Sequence, residues 1–411
     1  MRTLAKKGRH GGFMTLTIAV AGAAAILTAA PAQAAVTGAI SQNSISYPTI
    51  DGDILSMRTF VQPGTGRDLL VFGGNFSQVR TTDGVYHAAR NLAVIDAQSG
   101  AFVRGFTVNS TGYVRAMQLN PAGTVLYVAG DFTSVNGTSR ARLAALDTTS
   151  WALTAFNPGS SARLYAIEVT SSVVFVGGNS GSVIARNPTS GARLWSMSVD
   201  CGVHALLKTN DGTGLFIGGL FDVAGGFAQH GLVKVSAGTG VVDTGFRVTY
   251  LVKNSGGCVG GHDGYDGENP VSMVMDNVTN RLIIGAAGIR NGFRAVNPST
   301  GGLYWSDAPA GDGQAVAAVG NTDIVGHHQS GLHMPTGWTG GPKFIGQVTN
   351  DGRTLTSWNP RLDGYQGNAD GGNNGVQALA YDPVSQRLFV GGGFLTQNGT
   401  ARKGLAVFTV T

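Results

Sequence analysis

Val128-Ala129-Gly130-Asp131-Phe132-Thr133-Ser134-Val135-Asn136-Gly137 and Val390-Gly391-Gly392-Gly393-Phe394-Leu395-Thr396-Gln397-Asn398-Gly399 are one phrase written twice. Each closes a larger unit, in which a short apolar-x-apolar-apolar run is followed by a second apolar run ending in paired glycines or a near variant. The first runs are Leu55 to Met57, Val114 to Met117, Leu164 to Ile167, Val203 to Leu206, Val271 to Val274, Ala315 to Ala318 and Val376 to Leu379. The second runs are Leu70 to Gly74, Leu126 to Gly130, Val174 to Gly178, Leu215 to Gly219, Leu282 to Ala286, Ile324 to His327 and Leu388 to Gly392. Short strands repeated in units separated by Gly, Asn, Asp and Ser turns are the pattern of radial repeats. The expected fold is all-β, a seven-bladed β-propeller of four-stranded antiparallel blades.

Third strands follow, as in Leu92 to Asp96, Leu143 to Asp147 and Leu232 to Ser236, and lead into turns such as Ala97-Gln98-Ser99-Gly100. Fourth strands are expected to carry Phe106, Phe156, Trp195, Phe246, Trp305 and Trp358. The seventh unit ends at Thr409 without one, whereas Ile45-Ser46-Tyr47-Pro48 brings an aromatic-then-proline pattern, as in Phe156-Asn157-Pro158, ahead of the first unit. The N-terminal strand is therefore expected to complete the last blade and close the ring, removing two exposed edges.

The two quoted phrases resemble the delta-60 type repeat of secreted bacterial β-propellers. The resemblance spans nearly all of the chain after residue 34. It is clearest in the first, second, fourth and seventh units, where Asn75-Phe76, Asp131-Phe132, Leu220-Phe221 and Gly393-Phe394 follow the glycines. It implies fold and export, and it carries no catalytic motif.

Residues 1–34 combine Arg2, Lys6, Lys7 and Arg9 with an apolar run from Phe13 to Leu27 and the small-residue site Ala32-Gln33-Ala34. This is the pattern of a secretory signal peptide, leaving 35–411 as a single propeller domain, secreted and extracellular, with no membrane span. Removing four basic residues and no acidic one lowers the formal charge from +5 to +1. With no Lys/Arg cluster interleaved with aromatics, nucleic acid is rejected as a partner. Nothing in a nearly neutral closed ring demands an oligomer, so a monomer is expected. Cys201 and Cys258, the only cysteines, are expected to form a disulfide in an exported chain.

Long connections are expected on one face only, where second-to-third loops and blade-to-blade connectors meet, and that face is the expected binding surface. Two connectors there read Asp-Gly-Tyr-x-Gly: Asp263-Gly264-Tyr265-Asp266-Gly267-Glu268 and Asp363-Gly364-Tyr365-Gln366-Gly367-Asn368. Asp312, His327, His328 and Asp370 complete the candidate ligand-binding set of Asp263, Tyr265, Asp266, Glu268, Asp363 and Tyr365. The tyrosines would stack on sugar rings while the carboxylates accept hydroxyl hydrogen bonds; equally, Asp-Gly is ordinary turn chemistry. No motif requires a cofactor. Calcium is the ion that Gly-rich carboxylate loops would suit, although no EF-hand spacing is present. Of His327 and His328, adjacent on a strand, only one can face a central channel. His204, among apolar neighbours, reads as a core residue.

No Gly-x-Ser-x-Gly elbow, free catalytic thiol or phosphate loop is present. The leading expectation is a secreted, non-enzymatic module that binds a glycan or a cell-envelope protein. The alternative is a glycan-cleaving enzyme using two of Asp263, Glu268, Asp312, Asp363 and Asp370 across a sugar.

Overall fold

Alternating apolar residues with β-branched and small side chains hold each repeated run in an extended strand, and Asx-Gly turns reverse the chain between runs. A computed structural model of the chain describes residues 38–109, 112–251, 268–288, 291–307, 311–330, 343–351, 354–364 and 375–411, all within the unit 36–411. The described residues contain strands and no helix.

Each unit forms one antiparallel meander. The first is Asp53–Val61, Asp68–Asn75, Leu92–Asp96 and Phe102–Gly105. The third and fifth also have four strands, running from Leu164–Val169 to Arg193–Ser198 and from Glu268–Asp276 to Leu303–Asp307. Three-stranded meanders open with Val114–Leu119, Val203–Lys208, Gly313–Val319 and Val376–Asp382. In the second, fourth and sixth sheets, single bridges stand where a fourth strand was expected: Leu146 to Leu153, Val235 to Val242 and Val348 to Leu355. In the second and sixth the chain soon meets Pro158 and Pro360, which have no N–H to extend a ladder. The aromatics still pack inward, with Phe106, Phe156, Phe246 and Trp358 all buried.

The first strands of successive sheets pack side by side, and that of the first sheet also packs against that of the seventh. Every first strand is bulged at the same place. The register shifts between Ile54 and Ser56, Val114 and Ala116, Leu164 and Ala166, Val203 and Ala205, Pro270 and Ser272, Gly313 and Ala315, and Val376 and Ala378. A bulge leaves one residue outside the ladder and re-aims its side chain.

The paired glycines answer to both features. A Cβ on Gly73 would lie 2.5 Å from Val114 Cγ1 of the next sheet, and one on Gly391 would lie 2.7 Å from Ile54 Cγ2 of the first. The first glycine therefore sets how closely neighbouring sheets approach. The second makes room for the bulge, since a Cβ on Gly74 would sit 2.0 Å from the Asp53 carbonyl oxygen and one on Gly392 1.9 Å from that of Gly375.

The N-terminal segment, expected as the fourth strand of the seventh sheet, forms no strand there but runs beside its last strand, with a single bridge from Ile40 to Val410. Ser41 N donates to Thr409 O at 3.0 Å and Ile45 N to Val407 O at 2.8 Å. Buried Tyr47 packs edge-on to Phe389 of the seventh sheet and donates its hydroxyl to Ala97 O of the first at 2.9 Å. Trp195 of the third sheet donates its indole N–H to Ala237 O of the fourth at 3.0 Å, so Tyr47 takes in the seventh sheet the place of a fourth-strand aromatic.

Gly73→Ala should cost about 1–3 kcal/mol by overpacking against Val114. Gly238→Ala, where the nearest atom is 3.9 Å away, should stay within about 0.5 kcal/mol of wild type. Urea unfolding midpoints check both.

Candidate functional site

The chain reversals differ sharply between the two ends of the sheets. At one end they are tight, as at Asn120 to Thr124, where Asn120 Oδ1 accepts the N–H groups of Thr124 and Val125 at 2.8 and 3.0 Å. At the other end, four second-to-third connections fold into ribbons. These pair Gln78–Arg80 with Tyr86–Ala88, Ser134–Val135 with Thr138–Ser139, Val223–Ala224 with Phe227–Ala228, and Thr396–Gln397 with Thr400–Ala401. They belong to the four units in which Phe76, Phe132, Phe221 and Phe394, all buried, follow the glycines. Asn136 and Gly137 have φ of 48° and 78°, and Asn398 and Gly399 48° and 76°, the double positive φ of a type I′ turn. Carboxylates and amides of the preceding connector cap three ribbons. Asp51 Oδ1 accepts the N–H groups of Ser77 and Gln78, Asn109 Oδ1 those of Thr133 and Ser134, and Asp200 Oδ1 those of Asp222 and Val223.

Five of the sequence candidates can be placed on this elaborated end. Glu268 is buried and ion-paired with Arg294. Asp312 accepts Gly288 N at 3.0 Å and Asn291 Nδ2 at 3.3 Å, and its own N–H donates to His328 Nδ1 at 3.2 Å. His327 is fully buried, so His328 is the half-buried member of the pair. Asp363 is exposed, takes Gly364 N on Oδ1 at 2.9 Å and accepts Leu395 N on its carbonyl at 2.9 Å. Glu268, Asp312 and His328 are brought together where the fifth and sixth sheets meet, because Glu268 pairs in register with Gly288, the donor to Asp312. Asp263, Tyr265, Asp266, Tyr365, Asp370 and Cys258 lie outside the described residues. Cys201 is half-buried against the core shared by the third and fourth sheets, and no described cysteine is free.

Residues from all seven first strands line one cavity of about 170 Å³. Of the bulged residues, Leu55, Tyr165, His204, Val271, Gln314 and Gln377 reach it. His204 is thus not a core residue as expected. The bulge aims it at the cavity, where its Nδ1 pairs with Asn269 Nδ2 at 2.6 Å and Tyr165 packs edge-on at 5.0 Å. A polar chain crosses the first four sheets: Arg58 Nε donates to Gln118 Oε1 at 3.0 Å, Gln118 Nε2 to Glu168 Oε1 at 3.2 Å, and Lys208 Nζ to the same oxygen at 2.8 Å. Burial lowers the Arg58 pKa, opposed by the Glu168 carboxylate. These residues were not among the sequence candidates. The available signal was Arg58, Gln118 and Glu168 one place after Met57, Met117 and Ile167, where later units have Val274, Ala317 and Ala380.

No family model matches the chain, and no curated protein matches it. A chain in the crystal structure of the mitotic checkpoint complex is similar at 14% identity and a TM-score of 0.57, over 90% of this chain and 95% of that one. The fold is a β-propeller. At such identity the likeness concerns fold alone.

At the tight-turn end of the propeller a second repeat emerges, Asp276-Asn277-Val278-Thr279-Asn280-Arg281-Leu282 and Asp382-Pro383-Val384-Ser385-Gln386-Arg387-Leu388. Asp276 Oδ1 accepts Val278 N at 2.9 Å, and Asp382 Oδ1 accepts Val384 N at 3.1 Å. Arg281 stacks on Tyr304 at 4.8 Å and Arg387 on Tyr47 at 5.6 Å. Each turn aspartate faces an aspartate of the following sheet. Asp323, fully buried with neither oxygen hydrogen-bonded, is raised to about 7 by burial and then by Asp276. Asp68, buried with neither carboxylate oxygen hydrogen-bonded, is raised to about 7 by burial first and then by the neighbouring Asp382. Asp53, buried without a hydrogen-bond partner, is also raised to about 7. The folded state thus holds protons that the unfolded state releases near pH 4. Their stabilisation is complete below that pH and is lost as pH rises through about 7. The melting temperature should therefore be higher at pH 5 than at pH 8, and Asp323→Asn should flatten that difference.

Proposed function

We propose that this chain is an exported, non-catalytic module, a seven-bladed β-propeller closed by its N-terminal segment, that binds an extracellular glycan through its ribbon-bearing face. The observation that carries this reading is the confinement of elaboration to one end. Ribbons, capped connectors and the meeting of Glu268, Asp312 and His328 all lie there, whereas the other end is trimmed to tight turns. A rigid scaffold presenting its variable connections on one face is how such folds display binding sites. The engagement of four described acids also favours binding over cleavage. Glu268 is held by Arg294, Glu168 by Lys208, Asp312 by backbone and Asn291, and Asp363 caps Gly364. A glycosidase needs instead one acid free to protonate and a second facing it across the sugar.

Export by residues 1–34, kinship with delta-60 repeats and a Cys201–Cys258 bridge belong to the same proposal. So does the assignment of Tyr265 and Tyr365 as sugar-stacking residues in the Asp-Gly-Tyr loops.

Sedimentation with insoluble polysaccharides and cell-envelope preparations tests the reading. Wild type should co-sediment with a polysaccharide, and Tyr265→Ala/Tyr365→Ala should lose that binding while keeping its melting temperature. Binding to protein-bearing envelopes alone would replace the glycan with a protein ligand, and no binding to any material would defeat the proposal. Repeating the experiment in EDTA reads whether calcium belongs to the site.

A further inference from the structure

The ribbons of the first and seventh sheets leave between them a cleft of about 270 Å³, bordered by Thr49, Asp51, Gln78, Arg80, Tyr86 and Lys403. Tyr86 remains 60% exposed although Arg80 covers part of its ring, with Cζ 5.4 Å from the centroid. Arg80 and Lys403 are exposed, and among the described residues neither makes an ion pair. The cleft's one carboxylate is already engaged: Asp51 Oδ1 takes the N–H groups of Ser77 and Gln78, and Oδ2 takes the Ser77 hydroxyl. Two cations without ion-pair partners therefore flank a tyrosine that stays largely exposed on the side Arg80 does not cover, with a hydroxyl and an amide on the wall.

We propose that this cleft is a subsite for a carboxylated sugar, a uronic acid unit of an acidic polysaccharide. The inference rests on the glycan reading of this face and adds the class of sugar. The C–H face of a pyranose ring lies on Tyr86, and its carboxylate sits between Arg80 and Lys403, where charge-assisted hydrogen bonds are shorter and stronger than neutral ones. Thr49 and Gln78 are left to meet ring hydroxyls. The volume is that of a single ring, below the usual range for larger ligands. An acidic peptide would satisfy the cations, but its aliphatic side chains would make no use of the flat Tyr86 face. Exposed charge pairs are weak singly and screened by salt, so affinity is expected from repetition along a polymer.

The test is affinity electrophoresis of the full-length protein through gels containing polygalacturonate, neutral galactan or polyglutamate. Polygalacturonate should retard the protein in a salt-sensitive way. Tyr86→Ala and the double variant Arg80→Gln/Lys403→Gln should each weaken retardation by about tenfold. If Tyr86→Ala lowers the melting temperature, the double variant at exposed positions decides alone. Unchanged retardation in the double variant, or equal retardation by polyglutamate, would overturn the subsite. Retardation by galactan but not polygalacturonate would remove the acidic subsite and leave the glycan reading standing. Retardation by no polysaccharide here, together with no co-sedimentation above, would remove both.

Discussion

The spacing between neighbouring sheets is set where a glycine of one second strand meets the first strand of the next, as Gly73 meets Val114 and Gly391 meets Ile54. At Gly73 and Gly391 a Cβ would displace packed atoms, and packed interiors give way reluctantly, whereas the second sheet carries Ala129 at the corresponding place. Once sheets approach this closely, the first strands crowd together. The repeated bulge relieves the crowding by turning one residue per sheet toward the shared cavity. The second glycine follows from the bulge, because the displaced carbonyl occupies the space a Cβ would need. The paired glycines are thus the sequence trace of a contact between sheets and of a bulge within one.

This explains what could be read in advance. Period-two apolar runs and paired glycines are local signals, so third strands at Leu92–Asp96, Leu143–Asp147, Leu232–Ser236 and Leu405–Thr409 have the bounds expected from sequence. The partnership of Tyr47 with the seventh sheet was legible because it repeats an aromatic pattern. The fourth strands were over-read in the second, fourth and sixth sheets, in two of which proline follows the aromatic. The polar chain from Arg58 through Gln118 and Glu168 to Lys208 was missed because its members lie 40 to 60 residues apart and meet only through the packing of separate sheets. Glu268 looked like a loop acid, whereas strand pairing places it against Arg294, a residue with no sequence signal of its own.

The two ends of the sheets divide the work. One end is closed by side-chain-capped turns, where burial beside a second aspartate raises Asp68 and Asp323 and so makes stability fall as pH rises. The other end spends its length on ribbons in four sheets, three of them capped by the preceding connector, which leave tyrosine and basic side chains outward. Rigidity between sheets is what lets side chains from different repeats form a surface of fixed geometry, which is the condition for binding a stiff polymer with little ordering cost.

Hydrogen bonds from the N-terminal segment reach both the last sheet, at Thr409 and Val407, and the first, at Ala97. Residue-resolved amide hydrogen exchange tests the proposed closure by this segment most directly, at Ile45, whose N–H is held by Val407 O, and at Ile50, held by Lys403 O. If this segment closes the ring as proposed, both amides exchange as slowly as that of Val390 in the core of the seventh sheet. Rapid exchange at Ile45 and Ile50 with Val390 still protected would show the last sheet left open, and would contradict the account.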